Sequence, residues 1–431
     1  ALIYLCKDFT SFQIIFFRKK FIKIVNFLSD LESRFLDFIM AERSNQIVDL
    51  INYALHGDQQ QINNATSELQ KAYSQIDTIN DFLNIAQNYD EPIVRRFAAI
   101  SIRQMINIHG LDQEQTNFIK MALLSLIQND PDLLNKQAFF EAAILLQKKL
   151  AQPWEDLYNT ALNFLSAPES LAVGLQVWTS LIHNSNSSIA GENILLNYFQ
   201  TLMNCIISSF QTPDANIIIL SIHLFSALTT KIELKLFSTF TDLQQLFLNE
   251  ASASVKDRPN IQEAQEIFLC VCDQLSLKNP LFVQISEPFV NLALQITVSD
   301  LDPELRSTCQ PLVSMSPKLF PDLVESQLPI FLQSELTLAV QLVSKDRELV
   351  SHDIEFITDF VYSVAVNTES SSSLVQGLLT FAQNSITSPE NGPESLQVAL
   401  LSLSFILSAS CEDFFDHIET VSEIVMFSLS S

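Results

Sequence analysis

Six cysteines, six histidines and forty-nine carboxylates are the side chains in this 431-residue chain on which chemistry could rest. The cysteines are Cys6, Cys205, Cys270, Cys272, Cys309 and Cys411, and only Cys270 and Cys272 lie close together. A C-x-C pair on a helix points its two sulfurs to different faces. Without a second pair it makes no tetrahedral metal site, so reduced structural thiols are expected. The histidines are scattered singly, and none shares a helical face with two other candidate ligands. Ser404 and His417 are near neighbours in sequence, but no acidic residue is placed to orient the imidazole and no glycine loop could form an oxyanion hole. Neither GxGxxG nor GxxxxGK[ST] occurs, and six glycines in all argue against phosphate-cradling loops. Catalysis, metal binding and cofactor binding are therefore not expected; binding to other macromolecules is.

Charge gives the first indication of what is bound. Lys and Arg total 24 against 49 Asp and Glu, for a net charge of −25, and the chain from Met40 onward carries 18 against 45, or −27. Such a field repels nucleic acid and anionic membranes and attracts basic polypeptides. The bland alternative is a solvated acidic surface that keeps an apolar protein in solution, since hydrophobic residues make up 48% of the chain.

The elements that must carry these side chains are helices in pairs. After Asn391-Gly392-Pro393, the residues Leu396, Ala399, Leu400, Leu403 and Leu407 form an apolar helical stripe; Phe414, Ile418, Val421, Val425 and Leu429 form a second after a short break. Copies of this unit recur. Each has an acidic or proline-bearing turn followed by an apolar helix, starting at Val94, Leu134, Leu171, Ile217, Ile261, Leu305 and Leu396, with steps of 40, 37, 46, 44, 44 and 91 residues. The last step is two periods, and two helices per roughly 40 to 47 residues is the HEAT or armadillo repeat. Two copies have the sharper HEAT pattern, Asp90 with Val94-Arg95 and Asp302 with Leu305-Arg306. The fold expected is an all-α solenoid of HEAT repeats, a superhelix that grows by stacking.

Local exceptions are also expected. Residues 1–39 interrupt their apolar residues with Arg18, Lys19, Lys20 and Lys23 and have no signal-peptide cleavage site. They are read as a non-native N-terminal extension that does not pack as a repeat, with the array occupying 40–431. The polar runs Ser344–Asp353 and Asn367–Ser373 are read as loops. Leu234–Leu248 and Phe282–Thr297 are each read as one helix. Arg95 is expected to bond to Asp90, the acidic residue of its own turn. The array is expected to stop in mid-repeat.

One family fits these residues. The run DEPIVRRFAAISIRQMI at 90–106 resembles the second-repeat signature of the importin-β (karyopherin-β) superfamily, a V-R-x-x-A-A run followed by basic residues. The 389–429 stretch, with its A-L-x-x-L-S helix, Ser410-Cys411 and Ile424-Val425 helix, and Gln152-Pro153-Trp154 ahead of the fourth copy, resembles the importin 4 and importin 5 branch. Members run to more than twice this length, so the chain would be the N-terminal portion of a longer solenoid. The resemblance implies a nuclear import receptor shuttling between cytoplasm and nucleus, whose N-terminal repeats take RanGTP. Inner helices would hold basic cargo of ribosomal-protein or histone type, and outer helices would give shallow apolar slots to Phe-Gly nucleoporins. No direct nucleic-acid binding or membrane insertion is implied. Carried onto this chain, the Ran contacts would be Arg96, Arg103 and Lys136; the cargo contacts Glu263, Glu266, Asp273, Asp302 and Glu304; and the nucleoporin slots would be flanked by Phe199, Phe237, Phe240, Phe247 and Phe289. A HEAT scaffold of phosphatase or coat-adaptor type, or an exporter of the same superfamily, would share the period and the acidity.

Overall fold

The computed structural model describes residues 42–185, 189–257, 259–283, 286–297, 299, 302–343, 347–369, 371–387, 400, 404 and 416–430. The extension expected over 1–39 and the helix expected over Leu396–Leu407 fall outside these residues, apart from the helical positions 400 and 404. The described chain is an all-α solenoid of HEAT repeats. By its internal contacts it divides into two units, Ala1–Ile194 and Leu195–Ser431.

In the first unit, α1 (42–56) and α2 (Gln59–Tyr73) precede the pairs α3 (Thr78–Asn88) with α4 (Pro92–Ile108), α5 (Gln113–Asn129) with α6 (Leu133–Lys149), and α7 (Glu155–Phe164) with α8 (Leu171–Asn184). First helices stack on first helices and second on second: α3 touches α5 and α5 touches α7, while α4 packs on α6 and α6 on α8. Acidic residues also open several of these helices. Asp58 and Asp112 close capping boxes with Gln61 and Gln115, and Asp132 accepts the Asn135 N–H. Each such cap satisfies an otherwise orphaned donor and is worth about 1 kcal/mol. Arg43 ties α1 to α3 through the Asp81 carboxylate at 3.0 Å and Thr78 Oγ1 at 2.7 Å. Burial raises the Asp81 pKa, and the nearby Arg43 charge partly offsets this. At Gly174, a Cβ would meet Leu165 Cδ2 and the Phe164 carbonyl carbon at 2.9 Å, so the glycine lets α8 lie against the end of α7.

The second unit contains α10 (Ala215–Thr229), α11 (Thr241–Lys256), α12 (Ile261–Ser276), α13 (Pro280–Val283), α14 (Ser286–Thr297), α15 (Pro303–Leu319), α16 (Pro321–Val343), α17 (Arg347–Asn367), α18 (Ser371–Thr387) and α19 (Ile418–Ser430). The unit boundary falls within α9 (Ile189–Ser209). Second helices again form a row, α10 on α12, α12 on α15 and α15 on α17. The α10 run NIIILSIHLF is buried almost all round, and Ser221 satisfies its hydroxyl on the Ile217 carbonyl at 2.8 Å. Among the described residues no helix is long and apolar enough to cross a membrane.

Several expected boundaries are corrected. The Leu234–Leu248 helix is a 3-10 segment, Leu234–Thr239, followed by α11, and the Phe282–Thr297 helix is split into α13 and α14. In both, aromatic side chains of the separated segment (Phe237 and Phe240, and Phe282) are buried in the core. The loop expected at Ser344–Asp353 is mostly helix, because α17 already starts at Arg347, and the Asn367–Ser373 loop gives way to α18 at Ser371. Polarity there marks helix ends, where Ser and charged residues are well tolerated.

Candidate functional site

The second-helix row of the first unit is basic within an acidic chain. Helix α4 carries Arg95, Arg96 and Arg103 and no acid; α6 carries Lys136, Lys148 and Lys149 against Glu141 alone. These residues are held by a ladder of contacts from each repeat to the next. Arg95 is buried and places Nε 2.8 Å and Nη2 3.3 Å from the Asp130 carboxylate, while its Nη1 donates to the carbonyls of Tyr89 and Asp90. The expected partner is thereby corrected. Asp90 contributes only its backbone carbonyl, and the counter-ion is the turn aspartate of the following repeat, because the guanidinium reaches across the stacking interface.

Arg96 donates to Asn135 Oδ1 and Asp132 Oδ1, both at 3.2 Å. The Asn135 backbone N–H, with help from Arg96, lowers the Asp132 pKa below the usual carboxylate range. Asp132 therefore stabilises the fold above its unfolded pKa, and that contribution is lost as pH falls through the lowered value. Arg103 pairs with Glu141, the two side chains 46% and 44% exposed. The ladder continues from Gln137 to Gln176 at 2.9 Å. Lys149 donates to the carbonyls of Ile106, Asn107 and His109 at the end of α4, where a cation suits the helix dipole. Lys136 does not join Arg96 and Arg103. Its Nζ donates to the Gln128 carbonyl and lies 5.6 Å over the Phe164 ring, on the side of the first helices.

Between α4, α6 and α8 lies an open groove of about 570 Å³, lined by Ile100, Arg103, Gln104, Asn107, Glu141, Ile144, Leu145, Ser180 and Asn184. A second groove, of about 850 Å³, runs between the first helices α3 and α5. Its floor includes Ile79, Leu83 and Ile119, its rim Asp77, Asp112 and Glu114, and it carries Phe118 and Met121 at 49% and 67% exposure. Phe118 and Met121 are one turn apart on α5 and so form an exposed apolar pair beside the cleft.

The five phenylalanines expected to flank slots are all buried. Phe199 meets Phe237 at 5.0 Å and Phe240 at 5.6 Å; Phe247 meets Phe210, Phe225 and Phe282; and Phe289 packs edge-on to Phe268. They fill the layer between first and second helices because each ring removes 150–250 Å² of apolar surface from water. Phe118 and Met121, which do reach the surface between first helices, were not singled out from the sequence. Only an apolar residue set off the buried stripe of α5 would have signalled them.

The acidic candidates separate in the same way. Glu263 is buried in the first turn of α12, and Asp302 caps α15 by accepting from the backbone of Glu304 and Leu305. Glu266 meets His223 Nε2 at 3.0 Å, whereas Asp273 and Glu304 are exposed on α12 and α15. Helix α17, which packs on α15, adds exposed Glu355, Asp359 and Tyr362 at helical spacing. Cys270, Cys272 and Cys309 are buried thiols, and burial pushes the first two up to about 12 and the third higher still, so they stay protonated. Among the described residues no cluster of three or more His, Cys, Asp or Glu could hold a metal ion.

Residues 65–129, spanning most of α2 through α5, match the family described as the Importin-beta N-terminal domain. No curated protein matches the chain in sequence. Among solved structures it is similar to Kap121p, at 16% identity and a TM-score of 0.65, with 90% of this chain covered. It is also similar to Kap121p bound to RanGTP, at 16% identity, TM-score 0.64 and 89% of this chain. Kap121p bound to Nup53p compares at 15% identity, TM-score 0.65 and 90%. The chain spans 38% of the length of each of these proteins. The chain thus carries a match to the Importin-beta N-terminal domain at 65–129 within a HEAT-repeat solenoid whose fold is similar to that of Kap121p.

Proposed function

We propose that the chain works in a nuclear import receptor, without enzymatic activity, that takes RanGTP on the α4–α6 face and basic cargo on the acidic second helices of the second unit. Phe-Gly nucleoporins would dock between first helices, and the receptor would shuttle between cytoplasm and nucleus. The observation that carries this reading is the charge borne by the helices themselves: α4 and α6 carry six basic residues against one acid in a chain of net charge −25, and of the six Arg96 and Arg103 stay part-exposed on the second-helix side. A basic face held rigidly by its ladder is suited to an acidic partner, and the acidic helices elsewhere to a basic one. Solved relatives of this fold are described in complexes with RanGTP and with Nup53p. The Ran contacts are Arg96 and Arg103, with Lys136 left to the first-helix side. The cargo contacts are Glu266, Asp273 and Glu304, extended by Glu355 and Asp359.

The test is a pull-down of the full chain with RanGTP, RanGDP and a Lys-rich localisation peptide at two salt concentrations. RanGTP binding should be nucleotide-dependent, and Arg96→Ala with Arg103→Ala should weaken it about tenfold, a size typical of lost interfacial charge pairs. Peptide capture should fall steeply with salt, since screening acts over about 8 Å at physiological ionic strength. Capture indifferent to Ran and to salt would instead identify a scaffold; RanGTP that recruits rather than releases cargo would identify an exporter.

For nucleoporins the slot is assigned to the α3–α5 groove and not to the buried phenylalanines. Phe118→Ala should lower the affinity of a Phe-Gly repeat peptide about three- to tenfold, as loss of one exposed anchor does. Thermal stability should stay unchanged, because the ring is not in the core. Isothermal titration with the same peptide checks this, and undiminished binding would remove the groove from the assignment.

A further inference from the structure

The groove between α4, α6 and α8 has a charge pair across its middle, Arg103 with Glu141, and Glu141 is the one acidic residue on the two basic helices. Both side chains are nearly half exposed, so the pair sits in water, where such contacts are worth about 0–1 kcal/mol. The pair therefore does little to hold the repeats together. To one side, Gln104 and Asn107 present exposed amides with no hydrogen-bond partner among the described residues, and Ile100 is 48% exposed beside them.

We propose that this groove receives an extended acidic segment of the partner, and that Glu141 is a built-in competitor which holds Arg103 until a partner carboxylate displaces it. The proposal rests on the reading that the α4–α6 face takes an acidic protein. The chemistry matches part by part. Arg103 offers a planar fork suited to a carboxylate, the Gln104 and Asn107 amides offer both donors and acceptors to a passing backbone, and Ile100 with Leu145 covers one apolar side chain. Charge complementarity selects the occupant at one position: Arg103 is the cation of the lining and, once released by Glu141, takes a carboxylate, while the chain as a whole repels polyanions of nucleic-acid size. With Glu141 in place, a weakly acidic segment gains little by exchanging one carboxylate for another. Only a segment that also fills the amide and apolar positions displaces it, so the latch sets a threshold for binding.

The experiment uses the full chain as wild type, Glu141→Gln, Arg103→Ala and the double variant, with Glu141→Ala as a second neutralised form. The probes are a fluorescein-labelled Asp/Glu-rich peptide of about twelve residues, long enough to cross three stacked helices at 8–10 Å spacing, and RanGTP. Glu141→Gln should tighten peptide binding about two- to fivefold, the range set by freeing one exposed pair. Arg103→Ala should abolish that gain, so that the double variant binds no better than Arg103→Ala alone. Melting temperatures should agree across the set. Unchanged or weaker peptide binding by both neutralised forms overturns the latch. If RanGTP binds and responds to Arg96 and Arg103 while Glu141 is without effect, the latch fails and the functional reading stands. If RanGTP does not bind but the peptide tightens on Glu141→Gln, the functional reading fails and the latch stands.

Discussion

Replacing Asp130 by alanine should destabilise the first unit by about 3–5 kcal/mol, the cost of leaving a buried charge without its counter-ion. Arg95 and Asp130 are both buried, and the carboxylate does more than pair with the guanidinium. It also accepts the Asp132 backbone N–H at 2.8 Å and lies 3.5 Å from the Asn135 amide. Its loss therefore strips one repeat of its arginine partner and loosens the turn that starts α6. Both tryptophans of the chain, Trp154 and Trp178, belong to the first unit, so denaturation followed by tryptophan fluorescence reports on that unit. A double replacement, Arg95→Met with Asp130→Leu, should cost much less than the sum of the two single changes, because no uncompensated charge remains. An Asp130→Ala shift below about 1 kcal/mol would mean that water reaches the pair.

The second large effect is expected from Phe247→Ala in the other unit, again about 3–5 kcal/mol, as for a fully buried aromatic that leaves a cavity. Phe247 is completely buried, with Phe210 at 4.8 Å, Phe282 at 5.4 Å and Phe225 at 5.6 Å between ring centroids. Its ring joins α11, α13 and α10 with the end of α9, so the cavity would open among four helices. Hydrogen exchange is the suitable readout, since no tryptophan lies in this unit. Protection in α10 and α11 should fall sharply while α4 and α6 are unaffected. Undiminished protection in α10 would show that the neighbouring rings collapse to fill the space.

The helical architecture was legible because it rests on local signals repeated many times. The apolar stripes recur every 37 to 46 residues, and in four of the copies a turn residue, Asp132, Asp214, Asn260 or Asp302, is the N-cap whose side chain accepts from the first turn. Stripe and cap depend on neighbours three or four positions away, which the chain specifies directly. The basic pair Arg96 and Arg103 could be placed on one helix for the same reason.

What the sequence could not decide was which neighbour a side chain meets across the stack. Lys136 shares its charge with Arg96 but points to the first-helix side, over Phe164. Arg95 takes its counter-ion from the next repeat and not from its own turn. The five candidate phenylalanines went to the core while Phe118 stayed outside, although all six are the same residue type. Glu263 went inward and Asp273, ten positions on along the same helix, outward. By itself the sequence determined the fold class, the repeat and the sign of the charge, because helix period, capping and composition are local or summed properties. Only the tertiary structure decided which of those charges and rings remain available to a partner, because that depends on contacts between residues some 35 to 45 positions apart, and a rotation of one helix by a single residue, about 100°, exchanges buried for exposed.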